Sequence, residues 1–267
     1  MKAKVLLDGG RPKVRPEELR GMIVAAGIKV GDRSADIAVV VGGDGMFSRY
    51  GRTEEIPLLF VGVRSSRPTG SKAVLAEAFL DELPHALHEV SAGNYHVQEH
   101  RRLLVMKNGK SIGEVFTDAY LQRGADSNCL RYRLKASGEG ARIDESAIGD
   151  GVVISTSAGA SGYYSYPDRI REGMVDPAAK AIIGEDEVGI CHINPTYTER
   201  ADSEDHPLRY KVPWGSVVSL SLTRRADARL YGTTKSRSGV KIGPTDKITI
   251  APARRTTKVI VIGGRSD

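Results

Sequence analysis

The sequence is poor in cysteine and has no long apolar run. Its two cysteines, Cys129 and Cys191, are too few and too far apart for a disulfide framework or a Cys-x-x-Cys metal site, so we expect buried thiols. No segment approaches the roughly 18 apolar residues of a membrane span, so we expect no membrane partner. The short apolar run from Met1 to Leu7 ends at Asp8, which indicates a first strand and no signal peptide. We therefore expect a cytoplasmic protein.

The sequence also lacks the charge excess of a disordered chain and the basic runs typical of nucleic-acid binding. Of its 267 residues, 40% are hydrophobic and 27% are charged, a balance typical of globular proteins. The net charge of +6 comes from basic residues scattered in pairs, with no run and no helical stripe. We interpret them as a solvated basic surface and expect no nucleic-acid partner.

Several common catalytic motifs are absent. There is no Gly-x-x-x-x-Gly-Lys-[Ser/Thr] phosphate loop and no Gly-x-Gly-x-x-Gly after a predicted strand, which argues against P-loop and Rossmann enzymes. The six histidines show no metal-ligand spacing. Ser161 misses the Gly-x-Ser-x-Gly elbow of hydrolases by one residue.

The pattern of the sequence changes near residue 93. Before it, predicted strands (4–7, 36–41 and 57–63) alternate with predicted helices (16–26, 72–83 and 84–90), which indicates an α/β domain with a parallel sheet. After it, short β-branched and tyrosine-rich segments predict a mostly β domain, with a hairpin turn at Asn108-Gly109. We predict a nucleotide-binding domain over 1–93 and a β-rich domain over 94–267, whose last residues pack back on the first.

The predicted elements of the second domain are short. The strands are 98–107, 111–123, 130–136, 141–145, 151–155, 189–193, 217–223, 228–231, 247–250 and 258–262, and the one helix is 177–183.

The first motif with chemical content is Gly42-Gly43-Asp44-Gly45, directly after a buried strand. Its glycines lack Cβ atoms, so backbone N–H groups can approach a phosphate chain closely. The single side chain is a carboxylate, which would repel phosphates but suits a general base for a hydroxyl nucleophile or a Mg²⁺ ligand. An acidic tight turn of purely structural value is the alternative.

The second motif runs from Gly149 to Tyr164. The predicted strand Gly151–Ser155 leads into eight residues that are almost all small, several with hydroxyls. Such a loop can wrap a polar ligand while Tyr163 offers a stacking face, although small residues also permit close packing alone.

The two motifs together resemble the NAD kinase family, in which a Gly-Gly-Asp-Gly loop is followed by a Gly-Asp-Gly strand and a Thr-Pro-Thr-Gly-Ser-Thr-Ala-Tyr-like loop. Here that loop reads Thr156-Ser157-Ala158-Gly159-Ala160-Ser161-Gly162-Tyr163. The likeness extends over nearly the whole chain but is close only in the motifs. It implies the two-domain NAD kinase-like fold, a homodimer or homotetramer, and transfer of the terminal phosphoryl group of ATP, with Mg²⁺, to the 2′-hydroxyl of the adenosine ribose of NAD. Polyphosphate is a second possible donor.

The resemblance also implies roles for individual residues. Asp44 would be the general base, and the contacts to ATP would come from Gly42, Gly43, Gly45 and Arg64. The contacts to NAD would come from Thr117, Asp118, Asp150, Ala158, Ser161, Gly162 and Tyr163.

The sequence departs from the family pattern at three places. Residues 62–70 lack the family's Asn and Leu-Gly-Phe, and Arg64 and Arg67 stand there instead. Thr117 replaces the asparagine of the family's Asn-Asp pair, and Tyr231 replaces the aspartate of an Asp-Gly turn. The acceptor is therefore open to two alternatives. One is a related kinase of the Gly-Gly-Asp-Gly superfamily acting on another nucleotide, a polyol or a lipid, and the other is a non-catalytic nucleotide sensor.

Overall fold

The computed structural model describes residues 1–7, 14–64, 72–138, 140–171, 182–200, 207–233 and 238–263. The chain divides into two compact units. Unit one is Met1–His100 together with Thr256–Asp267, and unit two is Arg101–Arg255. The predicted boundary after residue 93 coincides with the left-handed Gly93 that caps a helix, and unit one continues from there to His100.

Unit one is built on parallel strands, which confirms the predicted fold class. Strand β1 (Lys2–Leu7) lies between β2 (Lys29–Val30) and β3 (Ile37–Gly42), and β4 (Leu58–Gly62) pairs with β3 and with β5 (Ala78–Phe79). All six residues of β3 are buried, as expected for a parallel strand covered on both faces. The helices are α1 (Pro16–Ala25), α2 (Asp44–Thr53) and α3 (Leu83–Ala92).

Two local predictions in unit one are wrong. Residues 72–83 do not form a helix, because Ala78 and Phe79 pair with the end of β4, and this tertiary pairing overrides a helix-forming composition. The helix that follows begins at Leu83, with Pro84 in its first turn. The sequence predicts a loop for the Gly-Gly-Asp-Gly segment, but α2 begins within it. Glycine has a low intrinsic helix propensity, so the local composition does not indicate this helix.

Unit two contains antiparallel strands in two sheets. Its elements in chain order are β6 (Tyr95–Lys107), β7 (Lys110–Val115), β8 (Asp118–Arg123), β9 (Leu130–Gly138), β10 (Ala141–Gly149), β11 (Gly151–Ser155), α4 (Tyr166–Arg171), β12 (Glu187–Ile193), β13 (Tyr197–Arg200), β14 (Arg209–Pro213), β15 (Val217–Leu222), β16 (Ala228–Tyr231), β17 (Val240–Ile242) and β18 (Lys247–Ile262). One sheet has the order β14-β12-β11-β8-β16-β17. The other brings together β13, β10, β9, β15 and the first part of β18, and one apolar core joins side chains of both sheets.

Most predicted strands of unit two are confirmed, with three corrections. The predicted strand 111–123 is divided into β7 and β8, which pair with different strands. The two predicted tail strands are one, β18, whose last part belongs to unit one, where Val259 pairs with Leu58. The strand 141–145 continues to Gly149. The turn at Asn108-Gly109 is confirmed by φ angles of 52° and 78°.

The predicted helix 177–183 falls largely outside the described residues, as do Arg67 and most of the 62–70 stretch. Within the described ranges, no helix is long and apolar enough to cross a membrane.

Candidate functional site

The Gly-Gly-Asp-Gly motif lies at the carboxyl edge of the parallel sheet of unit one. Strand β3 ends at Gly42, Gly43 is the N-cap of α2, and Asp44 is the first helical residue. Gly42 is closely packed, since a Cβ there would come within 2.9 Å of the Met46 side chain. A helix N-terminus presents backbone N–H groups and the positive end of its dipole, so this edge favours an anion such as phosphate.

The carboxylate of Asp44 is oriented by a neighbouring segment. Its Oδ1 atom accepts a hydrogen bond from the backbone N–H of Leu75 at 3.1 Å. That segment packs against the end of β4, where a Cβ on Gly62 would come within 2.9 Å of side-chain atoms of Ala73, Ala76 and Phe79. Close packing at Gly62 therefore positions the donor that orients Asp44.

Arg64 follows β4 on the same edge, and its charge is already paired. The guanidinium lies over the Phe79 ring at 3.9 Å and forms ion pairs with Glu82 at 3.2 Å and Asp81 at 3.6 Å. The side chain is 60% exposed, so these pairs are weak and exchangeable. Arg64 would have to leave its carboxylate partners to bind phosphate.

The second motif lies on one face of the six-stranded sheet of unit two. Along β8, Asp118, Tyr120 and Gln122 point to this face, while Ala119 and Leu121 alternate with them into the main core. The segment from Ser157 to α4 covers part of the same face and packs on Val153 and Cys191. The face therefore has a floor of strands and a partial cover of small and aromatic residues.

Four tyrosines line this face. Tyr120 pairs across the strands with Tyr231, and their rings stack with centroids 5.1 Å apart at 17°. The Tyr163 ring meets Tyr120 edge-on at 5.4 Å, and Tyr166 lies 6.2 Å from Tyr163. Burial raises the pKa of Tyr163, and the charge of Asp150 adds to the rise. These rings offer flat apolar surface next to carboxylates.

The loop before Tyr163 is held by the backbone of Thr117. The Thr117 carbonyl accepts hydrogen bonds from the backbone N–H and the hydroxyl of Thr156 at 2.8 and 3.0 Å, and a Cβ on Gly159 would overlap it. Thr117 itself is only 6% exposed. The predicted residues Ala158 and Ser161 are partly exposed within this loop, and a Cβ on Gly162 would lie 3.6 Å from Asp118 Oδ2. Part of the small-residue pattern thus serves close packing.

Asp150 sits between β10 and β11 with both carboxylate oxygens engaged. Oδ1 forms an ion pair with Arg123 Nε at 2.7 Å, and Oδ2 accepts a hydrogen bond from Asn194 at 3.0 Å. The Gln122 amide donates to the Tyr163 hydroxyl at 3.4 Å, which links the two parts of the face.

The predicted site residues thus fall into two groups. In unit two, Asp118, Gly162 and Tyr163 lie together, with Asp150 beside them, whereas Thr117 is buried under the loop. The residues around Asp44 and Arg64 belong to unit one. Sequence reasoning missed Tyr120 and Gln122, although their two-residue spacing from Asp118 on a strand was a usable signal. It also missed Asn194, whose approach to Asp150 depends on how β11 pairs with β12.

Comparisons with solved structures define the class of fold. A crystal structure of yeast NADH kinase complexed with NADH matches 99% of this chain and 84% of its own, with a TM-score of 0.70 and 14% identity. An NAD kinase from Archaeoglobus fulgidus in complex with ATP matches 99% of this chain and 94% of its own, with a TM-score of 0.65 and 15% identity. The fold is that of the NAD and NADH kinases.

Sequence comparison gives the family. The chain is 31% identical to an NAD kinase of Geobacter sulfurreducens (strain ATCC 51573 / DSM 12127 / PCA) over 266 residues, 97% of this chain and 80% of the relative. It is 26% identical to an NAD kinase of Magnetococcus marinus over 84% of this chain and 68% of the relative. No protein-family model matches the chain. The chain belongs to the NAD kinase family and is an enzyme of that class.

Proposed function

We propose that this chain transfers the terminal phosphoryl group of ATP to the 2′-hydroxyl of the adenosine ribose of NAD, giving NADP. The observation that carries the proposal is the position of Asp44, a carboxylate in the first turn of α2 at the edge of a parallel sheet. A negative side chain there repels phosphates, so phosphate binding does not explain its presence. A role as general base for a hydroxyl nucleophile does.

In the proposed step, Asp44 accepts the proton of the 2′-hydroxyl as the ribose oxygen forms a bond to the terminal phosphorus of ATP. The bond from that phosphorus to the bridging oxygen breaks, and ADP leaves with the electron pair. The backbone around Gly42, Gly43 and Gly45 and the N-terminus of α2 stabilise the charge on the phosphates. Arg64 would supplement them after exchanging its carboxylate partners. Most of the catalysis is then positioning and electrostatics.

The dinucleotide contacts are assigned to unit two. Asp118 and Asp150 offer carboxylate oxygens to ribose hydroxyls and amide groups, and Tyr163 offers a ring face. Ala158, Ser161 and Gly162 line the loop, and Thr117 holds that loop by its carbonyl. The structural relatives support the binding of these two kinds of ligand, since one is described with NADH and the other with ATP. We propose residues 1–93 as a nucleotide-binding domain that carries the Gly-Gly-Asp-Gly motif and 94–267 as a β-rich NAD-binding domain.

A divalent cation is part of the proposal, with Mg²⁺ as the expected ion. Among the residues that the structure describes, no group of three or more His, Cys, Asp or Glu side chains could hold a metal. Proteins commonly bind Mg²⁺ through one or two carboxylates and the substrate phosphates. Asp44 is the candidate protein ligand beside the phosphates. The ion would supply positive charge to the transferring phosphoryl group. We further propose a homodimer or homotetramer.

The test is to incubate the purified chain with ATP, Mg²⁺ and NAD and to detect NADP with an NADP-specific dehydrogenase. Parallel reactions with polyphosphate as donor and NADH as acceptor define the substrates. We expect NADP from the wild type and none above background from Asp44→Asn. A wild type that binds ATP or NAD without forming product would contradict the proposal and favour a nucleotide sensor. Turnover of ATP with a polyol or a lipid instead would favour the related kinases.

A further inference from the structure

A buried polar network lies beneath the ligand face of unit two. Glu145 of β10 and His192 of β12 are 1% and 0% exposed, and Glu145 Oε1 lies 2.7 Å from His192 Nε2 in an ion-pair contact. The other carboxylate oxygen accepts hydrogen bonds from Arg200 Nε at 3.2 Å and from the Tyr210 hydroxyl at 2.9 Å. Burying an ion pair costs desolvation free energy, so the presence of this one in the core requires an explanation.

The network ends at the peptide beside Asp150. The Tyr132 hydroxyl lies 2.7 Å from the Gly151 carbonyl oxygen and 2.7 Å from His192 Nδ1. A carbonyl can only accept, and a hydroxyl has one proton, so Tyr132 donates to Gly151 and accepts from His192 Nδ1. Burial raises the pKa of Tyr132 well above its usual value, so the hydroxyl keeps this proton.

The charges follow from the same geometry. His192 Nδ1 carries a proton for Tyr132, and Nε2 faces a carboxylate. Burial acts to raise the pKa of Glu145, but its interactions with His192, Tyr210 and Arg200 together hold that pKa below its usual value. Glu145 is therefore ionised. From His192 Nδ1 through the Tyr132 hydroxyl to the Gly151 carbonyl, the hydrogen bonds have one consistent direction of donation.

The backbone just before the Gly151 carbonyl is also fixed. The Asp150 N–H donates to Ile193 O at 2.8 Å, and the Asp150 carbonyl accepts from Arg123 N at 2.9 Å. Gly151 has φ of 145°, and a Cβ there would overlap the Leu121 carbonyl. Tyr132 fixes this backbone from the interior, while Arg123 and Asn194 hold the Asp150 carboxylate directly.

We propose that Tyr132 is a positioning residue for dinucleotide binding: supported by His192 and Glu145, it fixes the Gly151 carbonyl and with it the backbone at the start of β11, directly after Asp150. The inference rests on the proposed function in taking Asp150 as a contact of NAD. If the network served stability alone, loss of the Tyr132 hydroxyl and loss of the Tyr210 hydroxyl would affect NAD binding equally. The proposal predicts that loss of the Tyr132 hydroxyl has the larger effect on NAD binding.

The experiment compares Tyr132→Phe with Tyr210→Phe in the full-length chain. Both variants remove one hydroxyl from the same network, but the Tyr132 hydroxyl donates to Gly151 and the Tyr210 hydroxyl to Glu145. The Kd for NAD is measured by calorimetry, and kcat and the KM values for NAD and ATP are measured by NADP formation. We expect Tyr132→Phe to weaken NAD binding and raise its KM about ten-fold, as for loss of one oriented hydrogen bond. The KM for ATP stays unchanged, and Tyr210→Phe keeps NAD affinity within about two-fold.

Equal NAD affinity in the two variants would overturn the positioning role while leaving the proposed function intact. A wild type that neither binds nor phosphorylates NAD would overturn both. If Tyr132→Phe does not fold, His192→Gln and His192→Leu replace it, because a glutamine amide can donate to the Tyr132 hydroxyl and leucine cannot. The role predicts weaker NAD binding in the leucine variant, and equal binding by the two would contradict it.

Discussion

The carboxylate of Asp44 accepts a hydrogen bond from the backbone N–H of Leu75 at 3.1 Å, so the proposed base is held in one orientation by a neighbouring loop. Because of this contact, two substitutions of Asp44 can separate its effect on catalysis from its effect on stability. Asparagine keeps an oxygen for Leu75 but cannot take a proton, whereas alanine loses both functions.

We therefore expect Asp44→Asn to unfold at nearly the wild-type temperature and Asp44→Ala to be less stable by about 1 kcal/mol. Both should lose turnover by about 10²- to 10⁴-fold, the usual contribution of a general base. Thermal unfolding and NADP formation measure the two effects. An Asp44→Asn enzyme with most of its activity would exclude Asp44 as the base.

Gly62 has no room for a side chain. A Cβ there would lie 2.9 Å from atoms of Ala73, Ala76 and Phe79, in the segment that also supplies the Leu75 donor. We expect Gly62→Ala to cost about 1–3 kcal/mol of unfolding free energy through overpacking and to lower kcat by disturbing Asp44.

Gly21 is the matched control for this prediction, because it lies in α1 with nothing within 4 Å of its Cβ position. Gly21→Ala should be neutral or more stable by up to about 1 kcal/mol. Denaturant unfolding of both variants gives the comparison. Equal stability of Gly62→Ala and wild type would show that the segment can move away.

Tyr231, which replaces the aspartate of the family pattern, stacks on Tyr120. A carboxylate at this position would add negative charge to the face that carries Asp118. NAD has a cationic nicotinamide ring and NADH a neutral one, so added negative charge favours NAD over NADH. We expect Tyr231→Asp to raise the NAD to NADH preference by about two- to ten-fold relative to Tyr231→Asn, less at high salt. Steady-state kinetics with NAD and with NADH measure this preference. An identical preference in Tyr231→Asp and Tyr231→Asn would contradict the prediction and show that the added charge lies away from the nicotinamide.

The two cysteines differ in environment. Cys191 is fully buried, and burial raises the pKa of its thiol to about 12, while Cys129 is partly exposed. Because the thiolate is the reactive form, a thiol reagent at pH 8 should modify Cys129 in the native protein and Cys191 only on unfolding. Counting modified thiols in wild type and Cys129→Ser tests this. Rapid modification of native Cys129→Ser would contradict the buried environment of Cys191.

Local sequence determined the order of the main elements and the position of the first motif. The buried run Ile37–Gly42 and the Asn108-Gly109 turn depend on interactions within a few residues, so periodicity and turn chemistry predict them. The glycines and small residues around Asp44 and Gly159 likewise indicated positions where the backbone closely approaches a neighbouring group.

Which groups lie against the backbone at those positions depends on the tertiary structure alone. Ala78 and Phe79 form a strand because β4 offers them a partner, against the helical preference of their segment. The link from Glu145 through His192 and Tyr132 to Gly151 joins residues on four different strands, β9 to β12. No local pattern encodes such contacts, because hydrogen bonds and burial depend on how strands pair and sheets pack.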